Sequence, residues 1–172
     1  LAKASGANKF STKRSQVIVF HANHQMVRYF GETGGFMTLF YLTIDTKNKC
    51  LHWIRAGHDP AIFYDPQTDT FEELRGDGIA LGVDMDGHYA QYQKTNLKKG
   101  QIILLGSDGL WEARNSKGEM FGKATIYEMT RKHADAGARE ILTSCLHEFN
   151  IFLGDRAPED DVTRVVIKIT AD

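Results

Sequence analysis

Two short segments of this chain carry acids at places where a strand would end. Leu104-Leu105-Gly106-Ser107-Asp108-Gly109-Leu110-Trp111-Glu112-Ala113 sets a carboxylate after an apolar run and directly before a glycine. Glu159-Asp160-Asp161-Val162-Thr163 sets a pair of carboxylates at the start of an alternating run. Strand ends are rigid mounts, and carboxylate oxygens there are hard ligands suited to Mg²⁺ or Mn²⁺. If the fold brings Asp108 and Asp160 together, repulsion opposes it by roughly 4 kcal/mol for unit charges ~4 Å apart at an effective dielectric of ~20. A bound dication would turn that penalty into attraction. The plainer reading, that each acid only ends a strand or caps a turn, stands beside this one for either residue taken alone.

Other polar residues offer weaker chemistry. His58 sits in Gly57-His58-Asp59-Pro60 and can either line a pocket or stabilise a turn. Glu112 follows Asp108 by one helical turn, facing a metal or simply solvated. His21 and His24 share a helix face without a third ligand, which favours a surface or core role over zinc. Gly76-Asp77-Gly78 reads as a tight turn. Cys50 and Cys145 lack metal-ligand spacing, and neither begins a phosphate-binding loop with a nearby arginine.

The elements that must position these acids follow from periodicity. After a Gly6–Ser15 loop, Gln16–Phe30 has helical apolar spacing, with Val17, Phe20, His24 and Val27 near one face. A Gly31–Gly35 loop ends it. Phe36–Asp45 and Cys50–Ala56 read as a hairpin around Thr46–Lys49. Further short strands are expected at Ala61–Tyr64, Phe71–Leu74, Ile79–Val83, Tyr89–Leu97 and Gln101–Leu105. Helices follow at Lys123–His133 and Ala138–Phe149, then a polar Gly154–Glu159 loop and a last strand, Val162–Thr170. Short turns between strands imply antiparallel pairing, and the helices need an apolar sheet face to cover. The class is α+β, in a single domain over residues 1–172.

Composition narrows the function. A net charge of −1 shows no global basic excess, which argues against nucleic acid, and the Lys9–Arg14 cluster reads as a solvated loop. The longest apolar runs, near Phe36–Leu42 and Ile102–Leu105, are too short for a bilayer, so no membrane contact is expected. With no signal peptide and unpaired cysteines, a cytoplasmic location is the simplest expectation. Leu1-Ala2-Lys3-Ala4-Ser5-Gly6 reads as the last turn of a helix closed by glycine, without an initiator methionine. The expectation is a fragment whose beginning lies upstream.

The order of motifs resembles a known family. Gly35-Phe36-Met37-Thr38-Leu39-Phe40-Tyr41, Ala56-Gly57-His58-Asp59-Pro60, Leu81-Gly82, Ser107-Asp108-Gly109-Leu110-Trp111-Glu112-Ala113, Phe121-Gly122 and Asp160-Asp161-Val162-Thr163 resemble the SpoIIE-type bacterial serine phosphatases. These are metal-dependent phosphatases of the protein phosphatase 2C type. The resemblance covers nearly the whole chain from about Asn23. It implies two packed antiparallel β-sheets flanked by helices, an α-β-β-α sandwich here missing its first elements. It also implies two Mn²⁺ or Mg²⁺ ions that activate a water for attack on phosphorus. Asp108 matches the aspartate of the family's threonine-aspartate-glycine motif, with Ser107 in place of threonine. Asp160 matches the first aspartate of the final acidic motif, and Asp161 is the less direct ligand. Gly109 would let the backbone turn closely beneath an ion, and Thr163 would support the Asp160 carboxylate. Relatives carry an upstream glycine-aspartate motif whose aspartate bridges both metals. None precedes Phe36 here, so this chain is expected to hold part of the site.

The resemblance implies hydrolysis of phosphoserine or phosphothreonine on a regulatory protein of the anti-anti-sigma type, under an upstream sensor. Two alternatives remain open on sequence alone: a catalytically silent regulatory or scaffold domain of the same fold, and a hydrolase of small phosphoesters.

Overall fold

The structure, a computed structural model, describes residues 7–170. Its elements in chain order are α1 (Ala7–Phe30), a 3₁₀ turn (Gly31–Thr33), β1 (Leu39–Asp45), β2 (Cys50–Ala56), β3 (Ala61–Asp65) and β4 (Thr70–Leu74). There follow β5 (Gln91–Lys94), β6 (Ile102–Gly106), α2 (Asp108–Trp111), α3 (Gly122–Lys132), α4 (Ala138–Leu153) and β7 (Arg164–Lys168). They form two antiparallel sheets with flanking helices, as expected, in two compact units. One unit takes in the chain through His58 together with Arg75–Asn96, the other Asp59–Leu74 and Leu97 onward.

In the first unit the sheet order is β1-β2-β5. The β1–β2 hairpin pairs Leu39 with Ala56 and Asp45 with Cys50. Its turn is built locally: the Asp45 carboxylate accepts the Asn48 backbone N–H at 2.9 Å and its side-chain amide at 2.7 Å, and Lys49 takes the left-handed backbone. The central strand β2 is buried along almost its whole length. Helix α1 sets Val19 against Ile54, Ala56, Leu81 and Tyr89. It also buries Asn23, which donates to the Asp84 carbonyl at 2.7 Å and accepts the Gly82 N–H at 2.9 Å. A buried amide of this kind must be paired, and both pairings fasten the loop after Leu81.

Two expectations fail in this unit, and a third, the strand Tyr89–Leu97, contracts to Gln91–Lys94. The expected Gly6–Ser15 loop is helical from Ala7, because a polar, basic stretch can continue a helix whose apolar face lies further along. The expected strand Ile79–Val83 is not one. Only Leu81 pairs, in a bridge to Met37, because Gly78 and Gly82 on either side hold positive φ angles of 142° and 93°. The reading of Leu1–Gly6 as a helix end lies outside the described residues.

In the second unit the order is β4-β3-β6-β7. Strands β3 and β6 are central and nearly all buried, which is why they read as unbroken apolar runs. Helices α3 and α4 contribute Ile126, Met129, Ile141 and Phe149 to a core shared with Ile62, Ile102 and Leu110. Ile102 and Ile141 are wholly buried, each stabilising the unit by about 1.5–3 kcal/mol relative to exposure. Tyr64, Phe71 and Tyr127 stack in series with centroids 4.2 and 4.4 Å apart. The strands β6 and β7, remote in sequence, pair from Ile102↔Lys168 to Gly106↔Arg164. That pairing decides where the acids go.

Candidate metal centre

Continuing the β6–β7 register one step beyond Gly106↔Arg164 sets Ser107 against Thr163. The backbone confirms the alignment, since the Ser107 N–H donates to the Thr163 carbonyl at 3.2 Å. The Ser107 hydroxyl then closes the edge: it donates to the Asp161 carbonyl at 2.8 Å and accepts the Thr163 N–H at 3.0 Å. Ser107 occupies the N-cap position of α2 with extended backbone, yet makes no side-chain cap bond. Its oxygen is used across the strand pair instead of along the helix. Reading Ser107 only as a stand-in for threonine missed this clamp. A small hydroxyl residue directly before the acid was its one sequence signal.

Gly109 brings the two segments closer still. A Cβ there would lie 2.6 Å from the Asp161 carbonyl oxygen and 3.3 Å from that of Asp160. Glycine is required for space, not for an unusual backbone angle. Asp108 and Asp160 therefore sit on adjoining backbone segments, although 52 positions separate their numbers. Both are exposed. Asp108 Oδ1 accepts the Gly109 N–H at 2.9 Å, and Asp160 Oδ1 accepts the Asp161 N–H at 2.7 Å. Each carboxylate is thus oriented by one amide and keeps its second oxygen for another partner.

The remaining candidates fall into different places. Asp161 enters the edge through its backbone carbonyl, and its side chain is exposed. Thr163 likewise contributes its backbone N–H and carbonyl. Glu112 is exposed at the C-terminal end of α2, its N–H bonded to the Asp108 carbonyl at 2.9 Å. His58 is half-buried in the first unit, edge-on to Phe40 with centroids 6.2 Å apart, and its carbonyl accepts from Arg55 Nε. His24 packs on Phe20 at 4.2 Å within α1.

Two exposed carboxylates on adjoining backbone segments suit a hard dication. Among the described residues, no group of three or more His, Cys, Asp or Glu side chains is gathered as a metal cage. A cysteine route has no support in the geometry: Cys50 is buried, and burial pushes the half-buried Cys145 thiol up. The apolar cavity of about 30 Å³ bordered by Leu110, Trp111, Met129 and Arg164 lies beneath α2 and offers no acid to a ligand.

Known proteins resemble this chain in both sequence and fold. The family model for Stage II sporulation protein E (SpoIIE) matches residues 7–170. Phosphoserine phosphatase RsbU of Bacillus subtilis (strain 168) is 29% identical over 133 residues, covering 77% of this chain and 39% of RsbU. The chain thus spans well under half of that relative's length. The SiaA-PP2C domain of Pseudomonas aeruginosa superposes with a TM-score of 0.63 at 24% identity, covering 74% of this chain and 50% of that one. The phosphatase domain of SpoIIE from Bacillus subtilis, presoaked with Mn, superposes at 0.59 with 18% identity, over 78% of this chain and 57% of that one. These superpositions carry the fold. No helix among the described residues is long and apolar enough to cross a membrane.

Proposed function

The chain belongs to the Stage II sporulation protein E family, and from that membership we propose that it is a metal-dependent phosphatase of phosphoserine or phosphothreonine in a regulatory protein. The observation that carries the reading is the β6–β7 edge, where Ser107 and Gly109 bring the segments bearing Asp108 and Asp160 into contact. The two compact units act as one phosphatase domain. The name of RsbU, a phosphoserine phosphatase, supports a phosphoserine substrate. An anti-anti-sigma-type protein as the partner and the cytoplasm as the place are further parts of the same proposal.

A phosphomonoester dianion repels nucleophiles, so its hydrolysis needs charge neutralisation more than covalent help. Two bound Mn²⁺ or Mg²⁺ ions would supply that neutralisation together with an activated water. The chain's own contribution is placement. Asp108 and Asp160 offer hard oxygens, oriented by the Gly109 and Asp161 amides. Ser107 fixes the spacing of the two segments, and Gly109 admits their close approach. Asp161 and Thr163 hold the edge through their backbone groups and are not ligands in this reading, nor are Glu112 and His58.

Asp108→Asn and Asp160→Asn test it, because a neutral amide is a poorer ligand for a hard dication. Phosphate release from a phosphoserine protein should fall at least tenfold in each, with the melting temperature held or slightly raised by relief of repulsion. Wild-type turnover in both would rule the pair out as ligands. A small phosphoester hydrolysed as well as the phosphoprotein would favour the small-molecule alternative.

A further inference from the structure

We infer that Arg156 is a positioning residue for the Asp160 segment, holding it against the turn that follows α2; the inference rests on the metal-ligand reading of Asp160. The stretch from Gly154 to Asp161 is exposed throughout and has no regular structure. At its far end Ser107 binds the Asp161 carbonyl. Between those ends, among the described residues, the ties to other parts of the chain come from Arg156. Its Nη1 donates to the Asn115 carbonyl at 3.0 Å, and its Nη2 donates to Glu159 Oε1 at 2.9 Å. One planar guanidinium therefore grips the residue preceding Asp160 and a fixed point outside the loop at once.

That fixed point is well built. The Asn115 side-chain oxygen accepts the Lys117 and Glu119 N–H groups at 3.0 Å each, and its amide donates to Glu119 Oε2 at 2.7 Å. The Asn115 N–H reaches the Glu119 carbonyl at 3.0 Å, and its own carbonyl accepts Gly118 at 2.9 Å before receiving Arg156. Asn115 lies four residues beyond the end of α2, the helix that opens on Asp108. Arg156 and Ser107 thus link the two acid-bearing segments at two separate points. Two points fix a direction where one leaves a hinge. Lysine could not serve equally, because an ammonium lacks the planar fork that spans two acceptors.

The test compares wild type, Arg156→Gln, Arg156→Lys and Asp160→Asn in the whole chain. Hydrogen exchange of amides 157–162 is read against those of α4, free Mn²⁺ by electron paramagnetic resonance, and kcat and KM on a phosphoserine peptide. Arg156→Gln should speed exchange in 157–162 and raise the Mn²⁺ concentration required, each by about two- to fivefold, the scale of a charge-assisted bond at an exposed site. Exchange in α4 and KM should not change, and Arg156→Lys should recover less than half of the effect. Wild-type exchange and Mn²⁺ binding in Arg156→Gln would overturn the inference. So would a raised KM with unchanged Mn²⁺ binding, which would make Arg156 a phosphate contact. Wild-type Mn²⁺ binding in Asp160→Asn would instead remove the ligand reading, leaving the exchange data to judge the Arg156 tie alone.

Discussion

Replacing Gly109 by alanine probes the edge at its tightest point. The new Cβ would sit 2.6 Å from the Asp161 carbonyl oxygen, roughly 1 Å inside ordinary van der Waals contact. The obstructing atom is backbone, and it already accepts the Ser107 hydroxyl at 2.8 Å, so it cannot swing away as a side-chain tip would. Relief requires moving the Asp160–Asp161 segment or α2. Overpacking of this kind costs about 1–3 kcal/mol, and losing the Ser107 bond adds about 1 kcal/mol. Alanine's helix propensity offsets about 1 kcal/mol. A net loss of about 1–3 kcal/mol lowers the melting temperature by about 2–12 °C for a chain of this length. Calorimetry measures the shift, and Mn²⁺ titration reads the displaced carboxylate. Gly137→Ala is the comparison: a Cβ there meets nothing within 4 Å, so the change should stay below about 1 kcal/mol. An unchanged melting temperature with unchanged Mn²⁺ binding in Gly109→Ala would show that the close approach does not constrain the site.

Ser107→Ala removes a donor and an acceptor at the same edge and should destabilise by about 1–2 kcal/mol in urea unfolding, whereas Ser107→Thr, which keeps the hydroxyl, should lie within about 0.5 kcal/mol of wild type. The Arg131 guanidinium, bonded at 2.7 Å, holds the Asp69 carboxyl below its ordinary value, with the Tyr64 phenol adding to it. A depressed carboxylate stabilises the fold above its unfolded pKa of about 3.9 and loses that contribution as pH falls through the lower folded value. Asp69→Asn should therefore flatten the acid limb of the stability–pH profile below about pH 4, and an identical limb would refute the coupling. Burial pushes the Cys145 thiol up, so iodoacetamide should label it more slowly at pH 8 than a free thiol, and equal rates would contradict its protonated state.

Local patterns carried much of the architecture. The Asp45–Cys50 hairpin follows from turn chemistry that four consecutive residues supply for themselves. Strands β3 and β6 and helices α3 and α4 were readable because apolar periodicity reports burial directly. Reading failed where geometry overrode pattern. Ile79–Val83 looks like a strand until Gly78 and Gly82 turn the chain on either side of Leu81. The expected strand Tyr89–Leu97 contracts to Gln91–Lys94, with Asn96 in the left-handed region beyond it.

The candidate site divides along the same line. Asp108, Gly109 and Asp160 were singled out from the sequence by itself, because residue type and strand-end placement state what chemistry a segment can offer. What those residues touch was decided by the β6–β7 pairing, which joins stretches more than fifty positions apart. The Ser107 clamp, the reach of Arg156 to Asn115 and the reason position 109 must be glycine all depend on that register. A residue's donors and charge are properties of the chain, but a contact exists only after a long loop has been closed, and no local preference encodes which distant carbonyl will lie 2.6 Å from a missing Cβ.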